Sequence, residues 1–255
     1  MSLRVVAHRG ASGSYPENTL ASFQAALDVG AEIVEMDVQL SRDGELVVIH
    51  DPTLDRTTGG SGRVGEWSLA EIRKLSAGFP DRFGDRFREQ RVPTFAEALE
   101  LVRGRAQVLV EIKPESVADG GDEGIEARTL AAIDAAGMRG GAGVTSFHLG
   151  ALARCRELSP EVPRVPLFKS GSAAEMVAAA RGLGAELALP FKGLLSDELL
   201  RLAREAGVGL AAWVVDDPEE LRELARFELH GIGTNRPAEM LAAIRSVGAT
   251  PAADG

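Results

Sequence analysis

The chain has 255 residues, of which 45% are hydrophobic, and a formal net charge of -10 at pH 7. That length and apolar content suit one large domain with a sizeable buried core. The acidic balance argues against binding nucleic acid or an anionic membrane surface, so any phosphate must be met by local cations or by a metal.

A first strand is predicted over residues 4–8, ending in His8-Arg9-Gly10, and a helix follows over 19–29. The second strand, 33–38, carries Glu35-Met36-Asp37. After it, Ser41-Arg42-Asp43-Gly44 suits a tight hairpin turn into a strand-like segment, 46–50, that ends in His50-Asp51. Residues 51–93, rich in Gly and Arg, are then expected to form a small inserted subdomain over the mouth of the main fold, because long excursions within a domain are commonly functional. Its Thr57-Thr58-Gly59-Gly60-Ser61-Gly62 lacks the spacing of a phosphate loop and reads as a flexible turn. Phe79, Phe83 and Phe87, four apart, either pack the insertion or line an apolar channel.

A helix over 95–102 leads to strand 107–112, which ends in Glu111-Ile112-Lys113. The stretch Asp119-Gly120-Gly121-Asp122-Glu123-Gly124 lacks the ligand alternation of a calcium loop and reads as the lead into a helix over 124–136. The alternation continues with strands 142–147, 164–168, 186–190, 209–215 and 231–234, and helices 149–157, 173–183, 197–205, 218–225 and 237–247. Eight strands each followed by a helix predict an α/β fold, a single (β/α)8 TIM barrel over 1–248 with a frayed tail, 249–255. The lone Cys155 cannot form an internal disulfide and reads as a small core or helix residue, so a reducing cytoplasmic setting is expected. No run reaches the ~18 apolar residues of a membrane span, and the amino terminus is too short in apolar residues for a signal peptide.

Side chains two apart on a strand share a face, so Glu35 and Asp37 project toward the barrel axis while Met36 packs outward. Glu111 takes the equivalent end of the next barrel strand. Three carboxylates converging at a barrel mouth repel one another, and a hard divalent cation such as Mg²⁺ or Ca²⁺ relieves that repulsion. His8 and His50 suit a general acid and base on opposite sides of a phosphorus, because imidazole titrates near neutral pH. Arg9 can grip a phosphate oxygen bidentately and Lys113 can add a point charge. A Schiff-base role for Lys113 requires a lowered pKa, which neighbouring carboxylates oppose. Trp213 either presents an aromatic wall to substrate or packs the rim. His148 and His230 read as helix-cap or surface residues.

These residues resemble a known family. His8-Arg9-Gly10-Ala11, Pro16-Glu17-Asn18-Thr19, Glu35-Met36-Asp37-Val38, Val48-Ile49-His50-Asp51, Glu111-Ile112-Lys113-Pro114, Trp213-Val214-Val215 and Gly231-Ile232-Gly233-Thr234-Asn235-Arg236-Pro237 are similar to the glycerophosphodiester phosphodiesterases over nearly the whole barrel. The resemblance implies hydrolysis of glycerophosphodiesters to an alcohol and glycerol 3-phosphate with one divalent cation. It implies His8 and His50 as the acid/base pair, Glu35, Asp37 and Glu111 as metal ligands, and Arg9 and Lys113 as phosphate contacts. It further implies that the insertion covers the site and helps select substrate. Two departures stand out: His230 where an Asp is common, and Val214 and Asp216 where Thr and Asn are common. The alternatives are a lysophospholipid phosphodiesterase on the same barrel and an inactive phosphoglycerol-binding protein; oligomeric state is not readable.

Overall fold

The computed structural model describes residues 3–117 and 123–248. Most of the predicted loop 119–124 and the predicted tail 249–255 lie outside the described residues. In chain order the elements are β1 (Arg4–Ala7), α1 (Leu20–Asp28), β2 (Ile33–Leu40), β3 (Leu46–Val48), α2 (Leu69–Ile72), α3 (Pro80–Phe83), α4 (Phe95–Val102), β4 (Gln107–Ile112), α5 (Ile125–Ala135), β5 (Ala142–Ser146) and α6 (Leu149–Leu158). They continue with β6 (Arg164–Phe168), α7 (Ala173–Gly182), β7 (Leu187–Pro190), α8 (Asp197–Glu205), β8 (Gly209–Trp213), α9 (Pro218–Leu224), β9 (Gly231–Thr234) and α10 (Pro237–Gly248).

The strand order β1-β9-β8-β7-β6-β5-β4-β2 closes on itself through a parallel β1–β2 pairing, so eight parallel strands form a TIM barrel. The ninth strand, β3, lies outside the closed ring, antiparallel to β2, with Val38 opposite Val48. Several helices begin on side-chain caps that satisfy otherwise orphaned N–H groups. Thr94 and Ser172 form capping boxes with Glu97 and Glu175, and His148 Nδ1 accepts from the Ala151 N–H at 3.0 Å. His148 is therefore a helix cap, and His230 is exposed.

Alternation along the strands sorts side chains into two cores. Val34, Met36, Val38, Val110 and Ile112 face outward against fully buried Phe23 of α1 and Phe95 and Leu99 of α4. Val6, Leu109, Val165, Leu167, Leu189 and Ala211 fill the barrel interior. Two residues further along β2 and β4 the inner face changes from Ile33 and Leu109 to carboxylates, so the apolar plug forms a floor beneath the C-terminal mouth. Cys155 is buried as a free thiol, with burial pushing its pKa up to about 12. A cavity of about 660 Å³ opens at the opposite end of the barrel, beside Arg4, Gln107, Arg164 and His230, and holds none of the mouth carboxylates.

Four strands end sooner than their patterns predict: β5 stops at Ser146, and three others lose regular pairing at the rim while keeping single bonds to neighbouring strands. β1 stops at Ala7, although His8 N still donates to Thr234 O at 2.8 Å. β8 stops at Trp213, and Val215 N donates to Gly233 O at 2.8 Å. Segment 46–50 is a strand only to Val48, whose N–H donates to Pro93 O, while Ile49 N–H donates to Asp37 O. Residues 51–93 carry α2, α3 and a separate apolar cluster in which Leu54, Val64, Ile72, Ala77 and Val92 join Val47 and Ile49 of the hairpin. Arg82 ties this segment to the loop after β1 by donating to Ser12 O and Gly13 O. Phe79, Phe83 and Phe87 stack edge to face, with centroids 6.2 and 5.3 Å apart, and Phe87 continues onto Tyr15.

Candidate active site

Glu35 and Asp37 share the inner face of β2, and Asp37 lies opposite Glu111 of β4 in register. Together they form a group able to hold a metal ion, with one oxygen from each within 4.8 Å of the others. All three are buried, Asp37 completely. Burial and the charges of Asp37 and Glu111 hold the Glu35 carboxyl well above its usual range; burial and Asp37 push Glu111 up to about 7. Burial works the same way on Asp37, but Arg9, Lys113 and His50 outweigh it and draw its pKa down. Asp37 Oδ1 is nevertheless buried without a hydrogen-bond partner, since Lys113 Nζ at 3.4 Å is within ion-pair reach but off hydrogen-bond geometry. Crowded oxygen donors with an unfilled acceptor are the donor set a hard divalent cation takes.

The two predicted cations reach this group. Lys113 Nζ lies 2.7 Å from Glu111 Oε1. Burial would lower the Lys113 pKa, but Asp37 and Glu111 raise it, so this ammonium is not the neutral amine a Schiff base requires. Arg9 Nε stands 3.2 Å from Asp37 Oδ2, its Nη1 donates to Glu17 Oε1 at 2.8 Å, and its backbone N–H donates to Glu35 Oε2 at 2.9 Å. Arg9 and Asn18 both adopt left-handed backbone conformations at φ 56°. The turn from β1 is possible because Gly10, at φ 81°, passes so close to α1 that a Cβ would lie 2.4 Å from Ser22 Oγ.

Both histidines flank the carboxylates and feel the charges of Asp37 and Arg9. His8 Nδ1 is 2.8 Å from Asn235 Oδ1, and burial, then Arg9, lower its pKa to about 4. His50 Nδ1 is 2.7 Å from Asp51 Oδ1; burial leads in lowering its pKa, with Asp37 and Asp51 opposing. Each ring is thus held by Nδ1, leaving Nε2 as the nitrogen available for chemistry. Gln39 Nε2 donates to the carbonyls of His50 and Asp51, pinning the backbone that carries the second histidine.

Trp213 sits at the end of β8, its indole N–H donating to Leu189 O at 3.0 Å, with Phe147 and Phe191 against it at 5.4 and 5.7 Å. Sequence reasoning assigned no role to several partners found here. Asn18 donates to Asp37 Oδ2 at 2.7 Å, and Glu17 joins Arg9 to Arg56. Arg56 in turn donates to Asp51 at 2.5 Å, which completes a chain from His50 to Arg9. Asn235 and Asp216 stand behind His8. The signals available were Pro16-Glu17-Asn18-Thr19 and the departure at Asp216, which mark positions without naming partners.

The closed barrel carries His8, three buried carboxylates and Lys113 at the C-terminal ends of its strands, with Arg9 and His50 beside them, at the end where (β/α)8-barrel enzymes build their active sites. The chain belongs to the glycerophosphoryl diester phosphodiesterase family, whose sequence model matches residues 8–239. It is 35% identical over 249 residues to a glycerophosphodiester phosphodiesterase of Caldanaerobacter subterraneus subsp. tengcongensis, covering 97% of this chain and 100% of the relative. A glycerophosphodiester phosphodiesterase from Agrobacterium tumefaciens superimposes with a TM-score of 0.80 at 32% identity, covering 94% of this chain and 99% of that one. An Oleispira antarctica phosphodiesterase, solved in complex with the product sn-glycerol-3-phosphate, gives a TM-score of 0.85 at 29% identity, covering 95% of this chain and 96% of that one.

Proposed function

We propose that this enzyme hydrolyses glycerophosphodiesters to an alcohol and sn-glycerol 3-phosphate, using His8 and His50 as an acid/base pair and one divalent cation, Mg²⁺ or Ca²⁺. The observation that carries the reading is the buried Glu35–Asp37–Glu111 group, with Asp37 Oδ1 unpartnered and a Nδ1-anchored histidine on either side. The named relatives and the product bound to the Oleispira phosphodiesterase support the substrate class.

Glu35, Asp37 and Glu111 would hold the cation, which supplies charge neutralisation at the phosphoryl oxygens. Arg9 and Lys113 add positive charge beside it and orient the phosphate, and Trp213 offers an aromatic wall to the glycerol or alcohol portion. A substrate hydroxyl next to the ester attacks phosphorus as one histidine takes its proton at Nε2. The P–O bond to the alcohol breaks, and the other histidine delivers a proton to the departing oxygen. The cyclic phosphate so formed is opened by water with the two histidines exchanging roles. An intramolecular nucleophile favours this route, since it is already in place when the diester binds.

The insertion 51–93 is assigned to covering the mouth and selecting substrate, in keeping with the Arg56 and Arg82 ties to Glu17 and to the loop after β1. Its phenylalanines stack on one another and under Arg56, Arg82 and Arg86, which favours packing over an open acyl channel and so favours the glycerophosphodiester reading over lysophospholipid. Cytoplasmic residence is in keeping with the free Cys155 thiol. Among the described residues no helix is long and apolar enough to cross a membrane. The test is His8→Ala and His50→Ala: each should lower kcat by on the order of 10²–10⁴ with metal affinity retained. A wild-type rate in either variant overturns the acid/base assignment.

A further inference from the structure

We propose that Asp216, acting through Asn235, is a positioning residue that fixes the tautomer of His8. For its effect on turnover this rests on the acid/base reading above; the tautomer itself does not.

Asp216 accepts three hydrogen bonds from the segment that follows β9. Its Oδ1 receives the Thr234 hydroxyl at 2.8 Å and the Asn235 backbone N–H at 2.7 Å. Its Oδ2 receives the Asn235 side-chain N–H at 2.6 Å. This last bond orients the Asn235 amide, because a flipped amide would turn its carbonyl oxygen onto a carboxylate oxygen. With the amino group committed to Asp216, Asn235 Oδ1 faces His8 Nδ1 at 2.8 Å. An amide oxygen can only accept, so His8 Nδ1 carries the hydrogen and Nε2 is left as the bare acceptor. Ser12 seals the same side: its hydroxyl lies 2.8 Å from Asn235 Oδ1 and 2.7 Å from His8 O.

The arrangement differs from that at the other histidine. His50 Nδ1 meets the Asp51 carboxylate directly, whereas at His8 a neutral amide stands between ring and carboxylate. An interposed amide transmits orientation without placing a full charge against the ring. Asp216 thus gives a physical role to one of the two departures in the sequence.

The two residues form a donor/acceptor pair that can be inverted. In Asp216→Asn the new carbonyl oxygen must stay with the Thr234 hydroxyl and the Asn235 backbone N–H. Its amino group then faces Asn235, whose amide flips to accept from it. The flipped amide presents N–H to His8 Nδ1 and drives the hydrogen onto Nε2. In Asp216→Asn/Asn235→Asp, a carboxylate faces Nδ1, the amide lies behind it, and the original tautomer returns.

The experiment is ¹⁵N spectroscopy of histidine-labelled, Mg²⁺-loaded full-length protein near pH 7.5, with His8 signals identified by their loss in His8→Gln, alongside steady-state kinetics. Wild type should show His8 Nδ1 protonated and Nε2 bare. Asp216→Asn should invert that pattern and lower kcat by on the order of 100-fold, the scale on which losing the partner that orients a functional histidine is felt, with KM changed less than about threefold. The double variant should restore the wild-type pattern and recover kcat to within about tenfold of wild type. An unchanged His8 spectrum in Asp216→Asn overturns the proposal. An inverted spectrum with unchanged kcat upholds it and overturns instead the assignment of His8 to catalysis.

Discussion

Lys113 Nζ stands 2.7 Å from Glu111 Oε1, inside the same buried group of carboxylates that would receive a metal ion. One ammonium does not balance that group: burial and Asp37 still push Glu111 up to about 7, and burial leads in holding Glu35 well above its usual range. A glutamate carboxyl ordinarily titrates near 4.5. The contribution of Glu111 to the stability of the metal-free fold is therefore complete below about pH 4.5 and is lost as pH rises through about 7, and that of Glu35 runs in the same direction. A bound cation reverses this by favouring the ionised forms, at the cost of releasing protons. The rise in Tm on adding Mg²⁺ should be larger at pH 8 than at pH 5.5. Calorimetric titration near pH 6 should show net proton release in buffers of different ionisation enthalpy. Equal Tm shifts and no proton release would contradict the pKa assignments.

Asp37 is the electrostatic centre of the mouth, fully buried and within reach of Arg9, Lys113 and Asn18. Removing one partner from a buried charge cluster leaves the others uncompensated, a loss of about 3–5 kcal/mol. Relief of repulsion with Glu35 and Glu111 brings Asp37→Ala to the lower end, about 3 kcal/mol. Urea unfolding of the metal-free protein measures it, and a variant as stable as wild type would show that the pairs contribute nothing net.

Arg56 bridges Glu17 and Asp51 from a half-exposed position, so its ion pairs contribute little to stability. It does, however, hold the carboxylate that orients His50. Arg56→Met should cost under about 1 kcal/mol while lowering kcat by roughly tenfold. A thermal melt paired with kinetics separates the two effects, and an unchanged kcat would remove Arg56 from the positioning of His50.

Gly10 and Gly30 both have positive φ, at 81° and 83°, but only Gly10 meets α1. A Cβ there would lie 2.6 Å from the Ser22 carbonyl carbon, whereas nothing lies within 4 Å at Gly30. Gly30→Ala should cost about 1–2 kcal/mol, the left-handed penalty alone. Gly10→Ala should lose several kcal/mol more, or fail to fold, because the β1 turn and α1 must separate. Similar melting temperatures for the two would show that the turn yields easily.

The barrel was legible because every strand is a short apolar run with its own helical partner, and because closure adds only parallel neighbour pairings. The reactive groups were legible too: Glu35 and Asp37 follow from alternation, and His8, His50, Glu111 and Lys113 stand at or just beyond predicted strand ends. What periodicity cannot carry is which distant side chain meets which. His8 and Asn235 are 227 residues apart in sequence yet 2.8 Å apart in space, and Glu17 meets Arg56 across 39 residues. Strand ends were overestimated at 8, 50, 147 and 215 for a related reason: at 8, 49 and 215 the rim backbone keeps a single bond to the neighbouring strand, to Thr234, Asp37 and Gly233, without continuing the regular ladder.

Every proposed role at this mouth depends on metal-assisted cleavage of glycerophosphodiesters. That cleavage is tested most directly by following products from glycerophosphocholine, glycerophosphoethanolamine, glycerophosphoglycerol and a lysolipid, in EDTA and after restoring Mg²⁺ or Ca²⁺. sn-Glycerol 3-phosphate and the free alcohol should appear from at least one glycerophosphodiester only when metal is present. Full turnover in EDTA, or no glycerol 3-phosphate from any of the three diesters with metal supplied, would contradict it.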